Sequence, residues 1–340
     1  MLVAGFGLKA GLVPLHVWLP IAHPAAPMPA SAVLSGAIVK AGVIGLVRFL
    51  PADPALAGWG AALTAAGLFT AFYAVAMGVT QANPKTVLAY STVSQMGGVV
   101  AILGVGMARG DDAAVPAAIL VAAHHVLVKG ALFLAVGVAA VTAVRTRWVS
   151  APAWILSLAL GGLPFTGGAL AKLAAKAPMG DGAAATFATL SAAGTTLLML
   201  HFLARLAHVR SVEPQARTPA GLVGPWLAMA AAALVVPWTL APALADVTAA
   251  ETLAPKELGS AIWPIALGAG AALALRRFAH RLPAVPEGDV VVLAAGTAGA
   301  AGRCADALAR ADTRLREWTV AGVALLTLAL VLGAAMLAGD

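Results

Sequence analysis

Two lysines stand in the middle of long apolar segments. Lys40 lies within residues 26–50 and Lys129 within residues 113–144. A lysine at the centre of a membrane helix costs about 2.5 to 3.5 kcal/mol on insertion scales. A low-dielectric environment favours the neutral amine, which can exchange a proton near neutral pH where water reaches it. The position of these lysines predicts proton transfer; the alternative is a lysine that reaches an interface or a bound water without function.

Two further lysines lie beside helix-breaking residues. Lys9 precedes Pro14 and Pro20, and Lys172 follows the glycine-rich run at 161–168. Broken helices at membrane depth are tolerated only where they are buried in protein or line a wet cavity. Paired breaks of this kind mark the ion site in many transporters. The pattern predicts an ion pathway, and an interfacial lysine without function is the alternative.

A pair of histidines accompanies Lys129. His125 lies four residues before it, on the same face of a helix, and His124 is adjacent. An imidazole can pass on a proton near neutral pH, so this spacing extends the predicted relay. A structural hydrogen bond to a backbone carbonyl is the alternative for each histidine. A metal site is disfavoured because no carboxylate or thiol lies nearby.

The composition indicates a membrane protein. Of 340 residues, 61% are hydrophobic and 10% are charged, whereas a soluble domain carries roughly 25% charged residues. The formal charge of +7 then indicates basic loops held on one side of a membrane, and we expect no nucleic-acid partner. A single cysteine, Cys304, excludes an intrachain disulfide and any CxxC pair.

Hydropathy predicts an all-α, polytopic membrane helix bundle. A partial segment at residues 1–19 precedes nine spans, at 26–50, 59–80, 86–108, 113–144, 151–177, 183–209, 220–240, 259–275 and 318–338. The apolar stretch 288–302 is short and is expected to lie at the interface. Most lysines and arginines of the predicted loops fall on one side, with Lys85, which predicts that this side is cytoplasmic and the C-terminus outside.

The acidic residues complete the charge pattern. All 14 are expected in loops or at the ends of spans. Buried charges normally pair with an opposite charge. We therefore expect the acidic partners of the four lysines on another chain, or on a segment outside this sequence.

Four stretches form a joint pattern over about residues 1–209. They are GLKAGLVPLHVWLP at 7–20 followed by Lys40, LAYSTVSQMG at 88–97 after Lys85, KGALFL at 129–134 after His125, and GLP at 162–164 before Lys172. This pattern resembles the antiporter-like membrane subunits shared by respiratory complex I (NADH-quinone oxidoreductase), Mrp cation/proton antiporters and membrane-bound hydrogenases. Residues 220–340 match no such pattern.

The resemblance implies two inverted five-helix repeats, each with a broken helix, around a hydrophilic axis. By position, Lys9 resembles the lysine of the first broken helix, Lys40 that of the connecting path, Lys129 that of the second half-channel and Lys172 the exit residue. The histidines at polar positions of the pattern are His16, His23, His124 and His125. Ordering of the broken-helix loop is the alternative role for the first two of them.

The chain departs from the family pattern at two places. Several N-terminal helices are expected before this point, including one with the glutamate that pairs with the Lys9 equivalent. We expect either a fragment or an adjacent polypeptide that supplies them. Ile21 stands where the family usually has an acidic residue.

The expected organisation is the end of a first repeat at 1–58, a second repeat at 59–209, and C-terminal helices with basic cytoplasmic loops at 210–340. The expected function is proton, or sodium, translocation in a bacterial inner-membrane assembly. The expected partners are other membrane subunits and the lipid bilayer. No cofactor, metal or catalytic centre is expected on this chain. A truncated, non-pumping membrane scaffold is the alternative.

Overall fold

The computed structural model describes residues 1–51, 53–141, 147–209, 219–278, 285–287, 289–294, 298–315 and 317–337. All regular secondary structure in these residues is helical. The α-helices are α1 (Leu2–Ala10), α2 (Trp18–Ala25), α3 (Met28–Val33), α4 (Val39–Phe49), α5 (Ala57–Gly78), α6 (Pro84–Arg109), α7 (Ala114–Val141), α8 (Arg147–Gly161), α9 (Gly167–Met179), α10 (Ala183–Leu206), α11 (Ala220–Ala245), α12 (Ala249–Thr252), α13 (Pro255–Phe278), α14 (Asp289–Ala294), α15 (Ala298–Leu315) and α16 (Trp318–Leu337).

Eight helical stretches in the described residues are long and apolar enough to cross a membrane. They are Leu2–Ala25, Met28–Phe49, Pro54–Gly78, Pro84–Arg109, Ala114–Val141, Ala183–Leu206, Ala220–Ala245 and Pro255–Phe278. The prediction of an all-helical protein with many spans is confirmed. The predicted segment at 151–177, expected to be interrupted at its glycine-rich run, consists of α8 and α9 with a break between them.

The first predicted helix break lies between α1 and α2. Helix α1 ends at Gly11, whose φ of 83° is a left-handed conformation that favours glycine. A short 3-10 helix, Leu15–Val17, then leads into α2. Hydrogen bonds hold the break in place: the Trp18 indole donates to the Leu8 carbonyl at 2.8 Å, and the Val13 amide donates to Thr70 Oγ1 at 3.2 Å.

The second predicted break separates α8 from α9. Gly162 has a φ of 95° and Phe165 a φ of 64°. The Thr166 side chain then caps α9 by accepting from the Gly168 amide at 3.3 Å. Both breaks occur where glycine and proline in an apolar segment predicted them.

The long helices α6 and α7 form the centre of the first unit. Asn83 caps α6 and Pro84 occupies its first turn, both typical of helix starts. Helix α6 packs against α5 through small residues: a Cβ atom on Gly97 would lie 2.5 Å from the Gly67 carbonyl oxygen. Such close approach is characteristic of membrane helix pairs.

The chain divides into two compact units, Met1–Asp289 and Val290–Asp340. Within the second unit, α15 packs against α16. The stretch predicted to lie at the interface, 288–302, contains α14 and the start of α15. Of the arginines predicted in basic loops, Arg145, Arg210, Arg217, Arg281 and Arg316 lie outside the described residues. The basic stretch from Arg303 to Arg314, predicted as a loop, is instead part of helix α15.

Candidate functional site

A lysine and a histidine from different helices meet in the interior. Lys40 on α4 places Nζ 2.6 Å from Nδ1 of His125 on α7, and it donates to the Ser35 carbonyl at 2.8 Å. Lys40 is 7% exposed and His125 is fully buried. Ser35 lies in a π-helical turn, Leu34–Ile38, that joins α3 to α4. Such turns are often found at functional sites.

Hydroxyl groups continue from this pair toward Lys129. Ser35 Oγ lies 2.7 Å from Thr92 Oγ1, and Thr92 Oγ1 donates to the Leu88 carbonyl at 3.0 Å. Lys129 Nζ donates to the same Leu88 carbonyl at 3.1 Å. Because the Thr92 hydroxyl hydrogen is used on Leu88, Ser35 is the donor to Thr92. Polar groups therefore join the surroundings of Lys40 to those of Lys129.

Lys129 and the two histidines of α7 are buried in the same region. Lys129 is fully buried and His124 is 4% exposed. Among the described residues, Nε2 of His124 and Nε2 of His125 have no hydrogen-bond partner. Buried polar atoms of this kind are commonly satisfied by ordered water, which is also what a proton relay needs.

Lys172 on α9 lines a cavity of about 460 Å³. Ser94 and Gln95 of α6 line the same cavity, and Gln95 donates to Thr195 Oγ1 of α10 at 2.8 Å. The rim includes an ion pair between Lys176 and Glu257 of α13, with Nζ 2.8 Å from Oε1. The cavity brings polar groups of four helices to one lysine.

The residues of the first break have different environments. Lys9 is exposed on this chain, so the structure does not bring it to the other lysines. His23 is fully buried and its ring stacks on Phe133 with centroids 4.5 Å apart. Neither ring nitrogen of His23 has a hydrogen-bond partner in the described part of the chain.

Lys85 of α6 caps the C-terminal end of α2 by donating to the carbonyls of Pro24 and Ala26.

His16 has a partner that the sequence analysis missed. Its Nε2 lies 3.1 Å from Oδ2 of Asp289, which also accepts from the Tyr73 hydroxyl at 3.1 Å and the Tyr90 hydroxyl at 2.8 Å. Asp289 begins α14, a helix end as expected, but its side chain is buried at 4% exposure. The expected position, in a loop or at a helix end, therefore did not predict that this carboxylate is buried. Tyr73 and Tyr90 are the only tyrosines of the sequence, and their presence in apolar helices was an available signal.

The transmembrane model of the NADH:quinone oxidoreductase/Mrp antiporter family matches residues 1–198. The chain belongs to this family. All eight predicted site residues lie in the region of the NADH:quinone oxidoreductase/Mrp antiporter match, whereas Asp289 lies beyond it.

Curated relatives match part of the chain. An uncharacterized protein of Mycobacterium tuberculosis is 44% identical over 156 residues, 42% of this chain and 24% of that protein. Hydrogenase-4 component B of Escherichia coli is 35% identical over 183 residues, 47% and 27% of the two chains. Na(+)/H(+) antiporter subunit A1 of Staphylococcus aureus is 39% identical over 147 residues, 40% and 18% of the two chains. The chain thus spans between 18% and 27% of the lengths of these relatives.

A solved structure is similar over the whole chain. It is the Mrp complex from a Dietzia species, with a TM-score of 0.69 and 25% sequence identity, covering 100% of this chain and 40% of that one. The likeness therefore includes the C-terminal helices, which the NADH:quinone oxidoreductase/Mrp antiporter family match does not reach.

Proposed function

We propose that this chain is an antiporter-like membrane subunit of an Mrp-type or complex I-type assembly, and that it translocates protons along a lysine and histidine axis. The axis runs through Lys40, His125 and Lys129, and continues to His124 and Lys172. The observation that carries the proposal is the buried contact of 2.6 Å between Lys40 Nζ and His125 Nδ1.

Electrostatics gives this contact a role in sequential proton transfer. Two unit charges 2.6 Å apart interact by about 6 kcal/mol at an effective dielectric of 20. A proton on Lys40 therefore disfavours a second proton on His125, and the reverse also holds. Groups coupled in this way titrate as a pair, so a proton that arrives at one site drives a proton from the other.

Lys129 and Lys172 extend the axis toward the cavity. Lys129 shares the Leu88 carbonyl with Thr92, and His125 lies one helical turn away from it. Lys172 borders the 460 Å³ cavity, which is large enough to hold several waters. We assign Lys172 to the exit of the pathway, with His124 between it and Lys129.

The assembly around the chain is part of the proposal. Lys9 has no hydrogen bond or ion pair among the described residues, and we expect its acidic partner on another subunit or another segment. The inverted-repeat architecture and the divisions at residues 58 and 209 also remain proposals, as do the His16 and His23 roles at the first break. The relatives named as a hydrogenase component and a sodium/proton antiporter subunit support other membrane subunits as partners and protons or sodium as the ion.

The test is Lys129→Ala in the whole assembly, studied in its native membrane. Proton uptake into vesicles is followed by fluorescence quenching under an imposed potassium diffusion potential, in sodium-free and sodium-containing buffers. We expect uptake to fall about 100-fold, the scale of a lost acid–base group, with assembly unchanged on a native gel. Lys256→Ala, which removes an exposed lysine, is the matched control.

Two results would contradict the proposal. If Lys129→Ala keeps the uptake of the parent, the chain is a scaffold rather than a pump. If Lys256→Ala loses as much as Lys129→Ala, the loss reflects charge in general rather than the buried axis.

A further inference from the structure

A buried carboxylate joins the C-terminal end of the first unit to the first broken helix. Three side chains from separate elements meet at Oδ2 of Asp289: His16 of the 3-10 helix, Tyr73 of α5 and Tyr90 of α6. Removing an ionised carboxylate from water costs several kcal/mol unless partners replace the water. The Tyr73 and Tyr90 hydroxyls donate to this oxygen and meet this requirement, which indicates that the carboxylate is ionised here.

The residues before Asp289 are attached to the same face. The Gln81 side chain donates to the Val285 carbonyl at 3.2 Å, and Thr86 Oγ1 donates to Glu287 Oε1 at 2.8 Å. Thr86 and Tyr90 are four residues apart on α6, so they present one helix face to Glu287 and Asp289. The two acids differ in depth, because Glu287 is exposed and Asp289 is buried.

The contact fixes which nitrogen of His16 carries hydrogen. An ionised carboxylate only accepts hydrogen bonds, so Nε2 of His16 donates to Asp289. Nδ1 is then the basic nitrogen, and it is buried with no hydrogen-bond partner in the described part of the chain. The titratable groups against the ring are Asp289, Tyr73 at a centroid distance of 5.2 Å and Tyr90 at 6.3 Å.

We propose that Asp289 is a positioning residue for ion translocation: it orients His16 through Nε2–H and balances the charge when His16 Nδ1 takes up a proton. The proton enters and leaves at Nδ1, and Asp289 stays ionised throughout. This proposal rests on the proposed function, since it makes His16 a proton site of the same pathway. It also assigns a task to a segment outside the matched family region.

The test compares two carboxylates of the same segment in the whole assembly. Asp289→Asn keeps the size of the side chain but removes the charge, and we expect proton uptake to fall about tenfold, within the range of coupled buried pairs. Asp289→Glu restores most of the uptake, because it restores the charge. Glu287→Gln removes a charge two residues away and leaves the uptake unchanged.

A double-variant comparison tests the direct contact. If Asp289 acts through His16, then Asp289→Asn in a His16→Gln background has no further effect. Losses that add independently would overturn the proposal, as would equal losses from Glu287→Gln and Asp289→Asn. A loss of assembly in Asp289→Asn that parallels the loss of uptake would also overturn it, since the role is then structural.

The Lys129→Ala variant separates this proposal from the proposed function. Uptake lost in Lys129→Ala but kept in Asp289→Asn overturns only the role of Asp289. Uptake kept in Lys129→Ala overturns the translocation function itself.

Discussion

Thr92 and Lys129 donate to the same carbonyl oxygen, that of Leu88, at 3.0 and 3.1 Å, although they belong to different helices. The shared acceptor couples the position of the Lys129 ammonium to the hydroxyl that Ser35 also contacts. A substitution at Thr92 therefore affects both the Ser35 hydroxyl, next to Lys40, and the position of the Lys129 ammonium.

The first prediction concerns this hydroxyl. Thr92→Val keeps the shape of the side chain but leaves the buried Ser35 hydroxyl without its partner, which costs about 1 to 3 kcal/mol. We expect the rate of proton uptake to fall about threefold to tenfold with assembly retained. Thr64→Val is the control, since among the described residues the Thr64 hydroxyl bonds only to the Gly60 carbonyl, within α5. Equal losses in the two variants would show that the Thr92 hydroxyl has no special role.

The second prediction concerns the contact between α5 and α6. A Cβ atom on Gly97 would lie 2.5 Å from the Gly67 carbonyl oxygen and 2.8 Å from the Ala71 amide nitrogen, whereas one on Gly98 meets nothing within 4 Å. Gly97→Ala should destabilise the protein by about 1 to 3 kcal/mol through overpacking. Gly98→Ala should be neutral or stabilising by up to about 1 kcal/mol, because alanine favours a helix.

Thermal unfolding of the detergent-solubilised protein measures this difference. We expect a melting temperature lowered by about 5 °C in Gly97→Ala and unchanged or raised in Gly98→Ala. Similar melting temperatures for the two variants would contradict the close packing of α5 on α6.

The third prediction concerns access to the cavity beside Lys172. Ser94 and Ser157 are both buried, at 1% and 0% exposure, but Ser94 lines this cavity and Ser157 does not. In a Cys304→Ser background, Ser94→Cys should react with a small charged thiol reagent and Ser157→Cys should not. Equal reactivity of the two cysteines would show that the cavity is not the route of access.

The Lys176–Glu257 pair at the rim should select the charge of the entering reagent. The pair is partly exposed, with side-chain exposures of 47% and 20%, so it adds only about 0 to 1 kcal/mol of stability. Its charges instead set the electrostatic potential at the cavity entrance. Because Lys176→Gln removes a positive charge, it should slow the reaction of an anionic reagent with Ser94→Cys about threefold relative to a cationic one. A change that is the same for both reagents would contradict an electrostatic role.

The fourth prediction is a pH dependence in the loop between α11 and α13. The backbone amide of Thr248, and then its hydroxyl, donate to the Glu251 carboxylate at 2.9 Å each and lower the pKa of that carboxyl from its usual value of 4.5. Because the Glu251 pKa is lower in the folded loop than in the unfolded chain, the ionised carboxylate stabilises the fold at pH values above its usual pKa. This stabilisation is lost as the pH falls through the lowered pKa.

Amide hydrogen exchange at Thr248 and Glu251, corrected for its intrinsic pH dependence, measures this effect. Protection should decrease in the parent chain as the pH falls below the usual value of 4.5 and through the lowered pKa. It should stay independent of pH in Glu251→Gln. The same pH dependence in both chains would show that the Glu251 carboxylate is not responsible.

The helix breaks could be predicted because their cause is local. Clusters of glycine and proline beside a lysine mark the breaks, whereas a single proline does not suffice, since Pro225 and Pro237 lie inside the continuous helix α11. Gly11 and Gly162, both with a positive φ, lie at the two breaks. The pairing of His125 with Lys129 is also local, since a spacing of four residues places two side chains on one helix face. These features needed no knowledge of how the helices pack.

The remaining site depends on contacts between distant residues. Lys40 and His125 are 85 positions apart, and no periodicity within either helix predicts that they touch. Asp289 has the usual position of an acid, at the start of a helix, and its burial follows only from the attachment of its segment to α5 and α6. Lys9 shows the opposite case, because it is polar and predicted to join the axis but is exposed on this chain.

The attachment of Asp289 has a consequence for biosynthesis. Tyr90 is made 199 residues before its partner, which at about 5 to 20 residues per second corresponds to about 10 to 40 s of synthesis. Throughout that interval His16, Tyr73 and Tyr90 are already present and lack their carboxylate. The first broken helix therefore forms its hydrogen bond to Asp289 only late, after most of the spans have been made. A partner subunit that binds before then binds a chain in which this contact has not yet formed.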